Sequence, residues 1–289
     1  MNVFIKRFDG TSRLPPAGLP GSRRQRKEEW ATAKKKPEAQ PREGRKRKLR
    51  LRILIPLLIL ALLAGLCTWY LTTYYPADEA AIAAFSADFS VEEHRLENGD
   101  LTFGTGREEW GLIFYPGGKV AQEAYVPLMR ELASEGVFCV LCEMPCHLAI
   151  FDPDAADGIR EAYPEVRHWY LGGHSLGGVM AADYAAEHST DFDGLILLAA
   201  YSRKDLSGSG LRVLSAYGSE DGVLNRKAYA RNRSNLPGDA RELVIEGGCH
   251  AGFGMYGPQR RDGTPTITAA QQIHRTAAAI LALLRGEEA

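Results

Sequence analysis

The sequence predicts an open, mostly parallel, doubly wound α/β sheet, preceded by one apolar segment long enough to cross a membrane. Two observations point to the sheet. From about residue 91 onward, short apolar runs alternate with helical stretches, the order of a layered α/β domain. Those runs are also unbroken rather than alternating apolar and polar, as expected of parallel strands covered on both faces. The third observation is an uncharged run of 19 residues from Ile53 to Leu71.

At about 1.5 Å rise per residue that run spans a bilayer core of roughly 30 Å. Pro56 is expected in its first turn, where a missing N–H matters little. Trp69, Tyr70, Tyr74 and Tyr75 crowd its far end, as aromatic residues do at a membrane–water interface. On the near side stand Arg45-Lys46-Arg47-Lys48, with Arg50 and Arg52. The positive-inside rule then keeps the N-terminus cytoplasmic and exports the chain beyond Tyr75. The expected location is therefore the cell membrane, as a single-pass protein with its globular part on the extracytoplasmic side. A cleaved signal peptide fits poorly, because the apolar core is too long and 52 residues precede it.

Charge divides the chain in the same place. Residues 1–52 hold 17 Lys+Arg against 5 Asp+Glu, and the remainder 18 against 31, although the whole chain sums to −1. The basic tail holds few aromatics, Phe4, Phe8 and Trp30, and ends against the apolar run. It is expected to be disordered and drawn to anionic lipid, with no nucleic-acid partner. The expected organisation is a basic cytoplasmic tail over 1–52, a transmembrane signal-anchor helix over 53–75, a stalk over 76–90 and a globular domain over 91–289.

In the globular part, Val91–Leu96 and Asp100–Gly104 flank Asn98-Gly99, a strong hairpin signal. Strands are expected at Gly111–Tyr115, Val137–Met144, Trp169–Gly172, Leu195–Ala200, Leu211–Tyr217 and Glu242–Ile245. Helices are expected at Ala121–Glu135, Ala155–Tyr163, Leu176–Glu187, Asn225–Asn235 and Ala269–Leu284, after a short one over Asp78–Phe85. In such sheets, ligands bind beyond the carboxyl ends of the strands.

Three of those ends carry chemistry. The first is Gly173-His174-Ser175-Leu176-Gly177, a G-x-S-x-G between an apolar strand and an Ala-rich helix. A serine on that strained turn projects its hydroxyl above the sheet, and the helix start favours a developing oxyanion. The second is Gly218-Ser219-Glu220-Asp221-Gly222, where a carboxylate can orient a histidine; Asp221 is favoured over Glu220. The third is Gly247-Gly248-Cys249-His250-Ala251-Gly252, whose histidine, on a glycine-rich loop expected to be mobile, can reach back over the serine. The order Ser, Asp, His after successive strands is far more specific than any one motif. Backbone donors for an oxyanion are expected from Leu176 and from Gly118 after the first long strand, with Lys119 the alternative for the second.

These segments carry a resemblance. Tyr115-Pro116-Gly117-Gly118-Lys119-Val120, Trp169 through Gly178, and Gly248 through Gln259 make residues 91–285 similar to the α/β-hydrolase superfamily. They look most like a bacterial branch loosely related to dienelactone hydrolase (carboxymethylenebutenolidase-like). The resemblance implies a compact hydrolase without an essential cofactor. Two departures matter: dienelactone hydrolase itself uses a cysteine nucleophile where Ser175 stands, and the branch usually has Asn where Cys249 stands.

The expected function is a membrane-anchored serine hydrolase that cleaves a carboxylic ester-type bond through an acyl-enzyme on Ser175, acting on a small-molecule or lipid-like acyl substrate. Thioesterase, lipase, peptidase or acyltransferase activity on the same residues stays open, as does a non-catalytic fold that binds envelope components. Only about ten residues separate Ala200 from Leu211, too few for a large lid, so the site is expected to be open or covered by the loop from Pro145 to Asp157. Leu148, Ile150 and Phe151 in that loop are expected to line an acyl pocket. No metal site is expected, because Cys139 and Cys142 on one strand point to opposite faces. A disulfide between Cys146 and Cys249 is left open, subject to a Cα separation below about 7 Å.

Overall fold

The computed structural model describes residue 28, residues 43–86 and residues 89–287. Most of the expected basic tail lies outside the described residues. The chain divides into two compact units, residues 1–64 and 65–289. The described part of the first belongs almost wholly to helix α1, Glu43–Thr72, of 30 residues. Its Leu51–Thr72 portion is long and apolar enough to cross a membrane. The helix starts ten residues before the uncharged run, so Pro56 lies in its interior rather than in its first turn.

The second unit is built on an eight-stranded sheet. The strands are β1 (Glu93–Arg95), β2 (Leu101–Phe103), β3 (Trp110–Tyr115), β4 (Val137–Leu141), β5 (His168–His174), β6 (Gly194–Leu198), β7 (Arg212–Gly218) and β8 (Arg241–Ile245). Their spatial order is β1-β2-β4-β3-β5-β6-β7-β8. The hairpin β1–β2 adds antiparallel to β4, and every other pairing is parallel. The six long apolar runs are thus the six parallel strands. The Asn98-Gly99 turn closes the hairpin, with Gly99 at φ 96°.

Helices α2 (Glu79–Ser86), α3 (Val126–Ser134), α4 (Ile159–Ala162), α5 (Leu176–Glu187), α6 (Arg226–Asn232) and α7 (Ala269–Arg285) complete the unit. Leu128, Met129 and Leu132 of α3 and Ile273, Ala277 and Ile280 of α7 share one core with alternate strand residues such as Leu112, Phe114 and Cys139. Met180, Ala181, Ala182 and Ala185 of α5 share the other with Ile113, Tyr115 and Cys142. Cys139 and Cys142 therefore pack on opposite faces, as small apolar filler. Each fully buried side chain of Leu size contributes roughly 1.5–3 kcal/mol.

Two expected elements differ. The helix predicted from Ala155 shrinks to the single turn of α4, because Asp152 to Asp157 turns instead and Gly158 enters in the left-handed region at φ 74°. Short acidic side chains compete for backbone groups and favour such turns. The segment expected as a stalk is not a free spacer: Ala77, Ala81, Ile82 and Phe85 pack against the α3–α7 core, as do Tyr75 and Val91 on either side of it.

α5 leaves β5 with almost no space between helix and strand. A methyl group on Gly177 would run into the backbone carbonyls of Tyr115 and Pro116, which cannot move without distorting β3. Gly177→Ala is therefore expected to destabilise the fold by about 3 kcal/mol, as overpacking against rigid backbone does. Urea unfolding of the full chain in detergent checks this.

Candidate active site

Four segments meet beyond the carboxyl ends of β3, β5, β7 and β8. After β5, Ser175 sits at φ 54° and ψ −120°, a backbone conformation that a non-glycine residue adopts only under constraint. The constraint is local: Ser175 N–H donates to the Leu198 carbonyl on β6 (2.9 Å), and the Ser175 carbonyl accepts from Val179 as α5 begins. Leu176 opens that helix, so its N–H has no partner within it.

After β7, the chain turns at Gly218, and Asp221 becomes buried while Glu220 stays exposed. Asp221 Oδ1 accepts from the N–H groups of Val223 (2.9 Å) and Leu224 (2.7 Å). Its Oδ2 meets His250 Nδ1 at 2.9 Å. Of the two carboxylates weighed from sequence, the structure brings Asp221 to the histidine. Both side chains are almost entirely shielded from solvent. The other ring nitrogen, His250 Nε2, is buried with no hydrogen-bond partner among the described residues. Buried nitrogens are nearly always paired, so this one needs an explanation.

The loop carrying His250 is not mobile, as its glycines alone suggest, but tied down on all sides. Gln272 of α7 brackets the preceding residue, accepting from Cys249 N–H (3.0 Å) and donating to the Cys249 carbonyl (2.8 Å). Asp262 accepts from the N–H groups of His250 (3.1 Å) and Ala251 (2.8 Å). The same carboxylate accepts from Gly222 (3.1 Å), next to Asp221, and from Gly263 (2.9 Å). One side chain thus holds both the acid turn and the histidine loop. Burial opposes its charge, but these backbone donors outweigh it and hold the Asp262 carboxyl below its ordinary range. Neither residue stands out in the sequence. Gln272 is a polar residue on the apolar face of a helix, and Asp262 an apparent turn residue before Gly263.

His174 packs its ring on His250, centroids 4.5 Å apart. It shares a 2.8 Å hydrogen bond with the Tyr125 hydroxyl, which also accepts from Gly117 N–H (3.0 Å). Burial, reinforced by the neighbouring His250, holds the His174 pKa well below the ordinary imidazole range. A neutral His174 therefore links the serine turn to the glycine loop after β3.

In that loop, Lys119 N–H donates to the His147 carbonyl (2.6 Å). Lys119 is thus occupied and falls away as the alternative oxyanion donor. Gly118 N–H has no acceptor among the described residues, and a Cβ on Gly118 would lie 2.9 Å from Leu176 Cδ2 and 3.6 Å from Leu148 Cδ2. The structure therefore brings Gly118, Leu176 and Leu148 together. Phe151 does not join them. Leu148 and Ala149 turn inward, whereas Ile150 and Phe151, next along two short 3-10 turns, are half exposed.

All five cysteines are free thiols, Cys146 exposed and Cys249 buried; the disulfide left open from sequence is not formed. Burial, with Asp262 nearby, pushes the Cys249 thiol up to about 11, so it fills space as a neutral group. A cavity of about 830 Å³ lies beside the histidine loop, lined by Ala81, Phe85, Met255 and Ile267, and does not reach Ser175. Among the described residues, no group of three or more His, Cys, Asp or Glu is disposed to hold a metal ion.

The same fold occurs in known proteins. The alpha/beta hydrolase family profile matches residues 111–274, more than half the chain. The chain belongs to the alpha/beta hydrolase family. Curated proteins give no match. Among solved structures, Est1E from Butyrivibrio proteoclasticus is similar at 12% identity and a TM-score of 0.50, covering 68% of this chain and 99% of that one. TT1662 from Thermus thermophilus matches at 17% identity and a TM-score of 0.49, over 68% and 98%. A predicted CIB-like hydrolase from Thermoplasma acidophilum matches at 17% and 0.48, over 66% and 98%. At these identities the likeness is one of fold.

Asp262 generates a prediction of its own. Its carboxyl is held below the unfolded-state value near 3.8, so its contribution to stability is complete above that value and is lost as pH falls through the lower folded value. Asp262→Asn should lower stability at pH 7 by about 2 kcal/mol, in the range for hydrogen bonds to a charged, partly exposed acceptor. The deficit should shrink as pH drops below about 4. Urea titrations at about pH 7 and pH 3.5 check this.

Proposed function

We propose that this protein is a membrane-anchored serine hydrolase that cleaves carboxylic esters through an acyl-enzyme on Ser175. The observation that carries the reading is the buried Asp221–His250 pair, whose outer nitrogen is left unpaired beside the Ser175 turn. In an alpha/beta hydrolase, that nitrogen is where a general base belongs.

The proposed mechanism gives each of these groups a role. Ser175 Oγ attacks the ester carbonyl carbon, and its proton passes to His250 Nε2. Asp221 holds Nδ1–H and stabilises the imidazolium that forms. The tetrahedral oxyanion is received by the N–H groups of Leu176 and Gly118, each such donor lowering the barrier by about 3 kcal/mol. His250 then returns its proton to the leaving alcohol. Water, deprotonated by the same nitrogen, attacks the acyl-enzyme; the bond to Ser175 Oγ breaks, His250 returns the proton to that oxygen, and the carboxylic acid leaves. Leu148, buried beside Gly118, is the candidate wall for the acyl group.

On this reading α1 anchors the enzyme, with the hydrolase outside the cytoplasm; the apolar length of Leu51–Thr72 supports the anchor and the basic residues before it support the orientation. The likeness to the dienelactone hydrolase branch is part of the same proposal, with serine in place of its cysteine. Thioesters and amides are alternative acyl donors for the same residues.

Ser175→Ala should lower kcat on 4-nitrophenyl acetate by about 10⁵-fold with the fold intact. Asp221→Asn should lower it by about 10⁴-fold. Activity that survives Ser175→Ala would overturn the assignment.

A further inference from the structure

We propose that the enzyme draws its substrate from the membrane surface, and that this substrate is an amphipathic ester whose acyl chain lies in the bilayer. The inference rests on the hydrolase reading and names its substrate class.

The chain that leaves the apolar helix is built directly into the loop beside Ser175. Tyr75 N–H donates to the Lys119 carbonyl (2.7 Å), and the Tyr75 carbonyl accepts from Ala121 N–H (3.0 Å), a short parallel bridge flanking the Gly118 turn. Tyr74 lays its ring on His147, centroids 4.1 Å apart. His147 in turn takes the Lys119 N–H through its carbonyl. The Lys119 ammonium donates to the Tyr70 carbonyl and lies 4.8 Å from the Tyr70 ring centroid. Tyr75 comes three residues after Thr72, the last of the apolar span. At roughly 3.8 Å per residue at most, the Gly118 turn stands within roughly 20 Å of the point where the chain leaves the span.

The rim of the site has the matching character. Ile150 and Phe151 are 49% and 53% exposed, three and four residues beyond His147 and just past the inward-turned Leu148. Trp69, Tyr70 and Tyr74 are exposed as well. Large apolar side chains that meet a bilayer gain by entering the interface, where aromatic residues also settle. An acyl chain passing between that rim and the Leu148–Leu176 wall would stay out of water, each buried methylene adding to the affinity. A rim built for a small soluble ester needs no such exposed pair.

The test uses the full chain reconstituted in phosphatidylcholine vesicles and compares two substrates: 4-nitrophenyl acetate in the aqueous phase and 4-nitrophenyl dodecanoate partitioned into the same vesicles. The double variant Ile150→Asp/Phe151→Asp should lower the ratio of dodecanoate to acetate turnover by about fivefold or more, and Ile150→Leu/Phe151→Trp should preserve it. A smaller fall in the first variant, or an equal fall in the second, overturns the proposal. Ser175→Ala separates the two levels: acetate turnover that survives it sinks the hydrolase reading, whereas acetate turnover that vanishes alongside an unresponsive ratio sinks only the membrane route.

Discussion

The hydrogen bond between Asp221 and His250 is the interaction on which the rest of the site depends. It joins two turns 29 residues apart, each at the end of a parallel strand, and it lies where water does not reach. A buried polar pair of this kind is favourable only when its remaining lone pairs and donors are satisfied. Val223 and Leu224 N–H groups do this for Asp221, and Asp262 and Gln272 fix the backbone that delivers His250. Two ring nitrogens are left over among the described residues, His250 Nε2 and the Nε2 of His174 packed on it. Of the two, only the His250 nitrogen belongs to a ring that a buried carboxylate orients, which suits it to a transient partner.

Backbone strain gathers around the same place. Among the described residues, six non-glycine residues adopt positive φ, and four of them, Lys119, Cys146, His147 and Ser175, belong to the serine turn or the two loops facing it. Such conformations persist only where the surroundings over-determine them. Here the Lys119–His147 and Ser175–Leu198 hydrogen bonds and the Tyr75 bridge do so. The segment after the apolar helix is therefore a structural part of the site. A fragment starting at residue 78 would lack Tyr75 and the bridge flanking Gly118.

The sheet was legible because its cause is local: unbroken apolar runs become the covered parallel strands, and Asn98-Gly99 becomes the hairpin turn. The meeting of Asp221 and His250 was legible for a related reason. Ser175, Asp221 and His250 come after strands whose order in a doubly wound sheet fixes which ends lie side by side. Asp262, Gln272 and the Tyr125–His174 link were not, since each acts on backbone distant in sequence and none differs in type from an ordinary turn or helix residue. That Leu148 turns inward and Phe151 outward was not legible, because a loop of two 3-10 turns has no simple period from which to tell the two apart. Lys119 and Gly118 are equivalent in sequence, and only the His147 carbonyl distinguishes them.

The central claim is that one hydroxyl, at Ser175, is activated by the nitrogen that Asp221 orients. Treating the full chain with a fluorophosphonate and mapping the adduct by peptide mass spectrometry tests it most directly. The account predicts a single phosphonylated residue, Ser175, with labelling abolished in His250→Ala. An adduct on another serine, or labelling of Ser175 undiminished without His250, would contradict it.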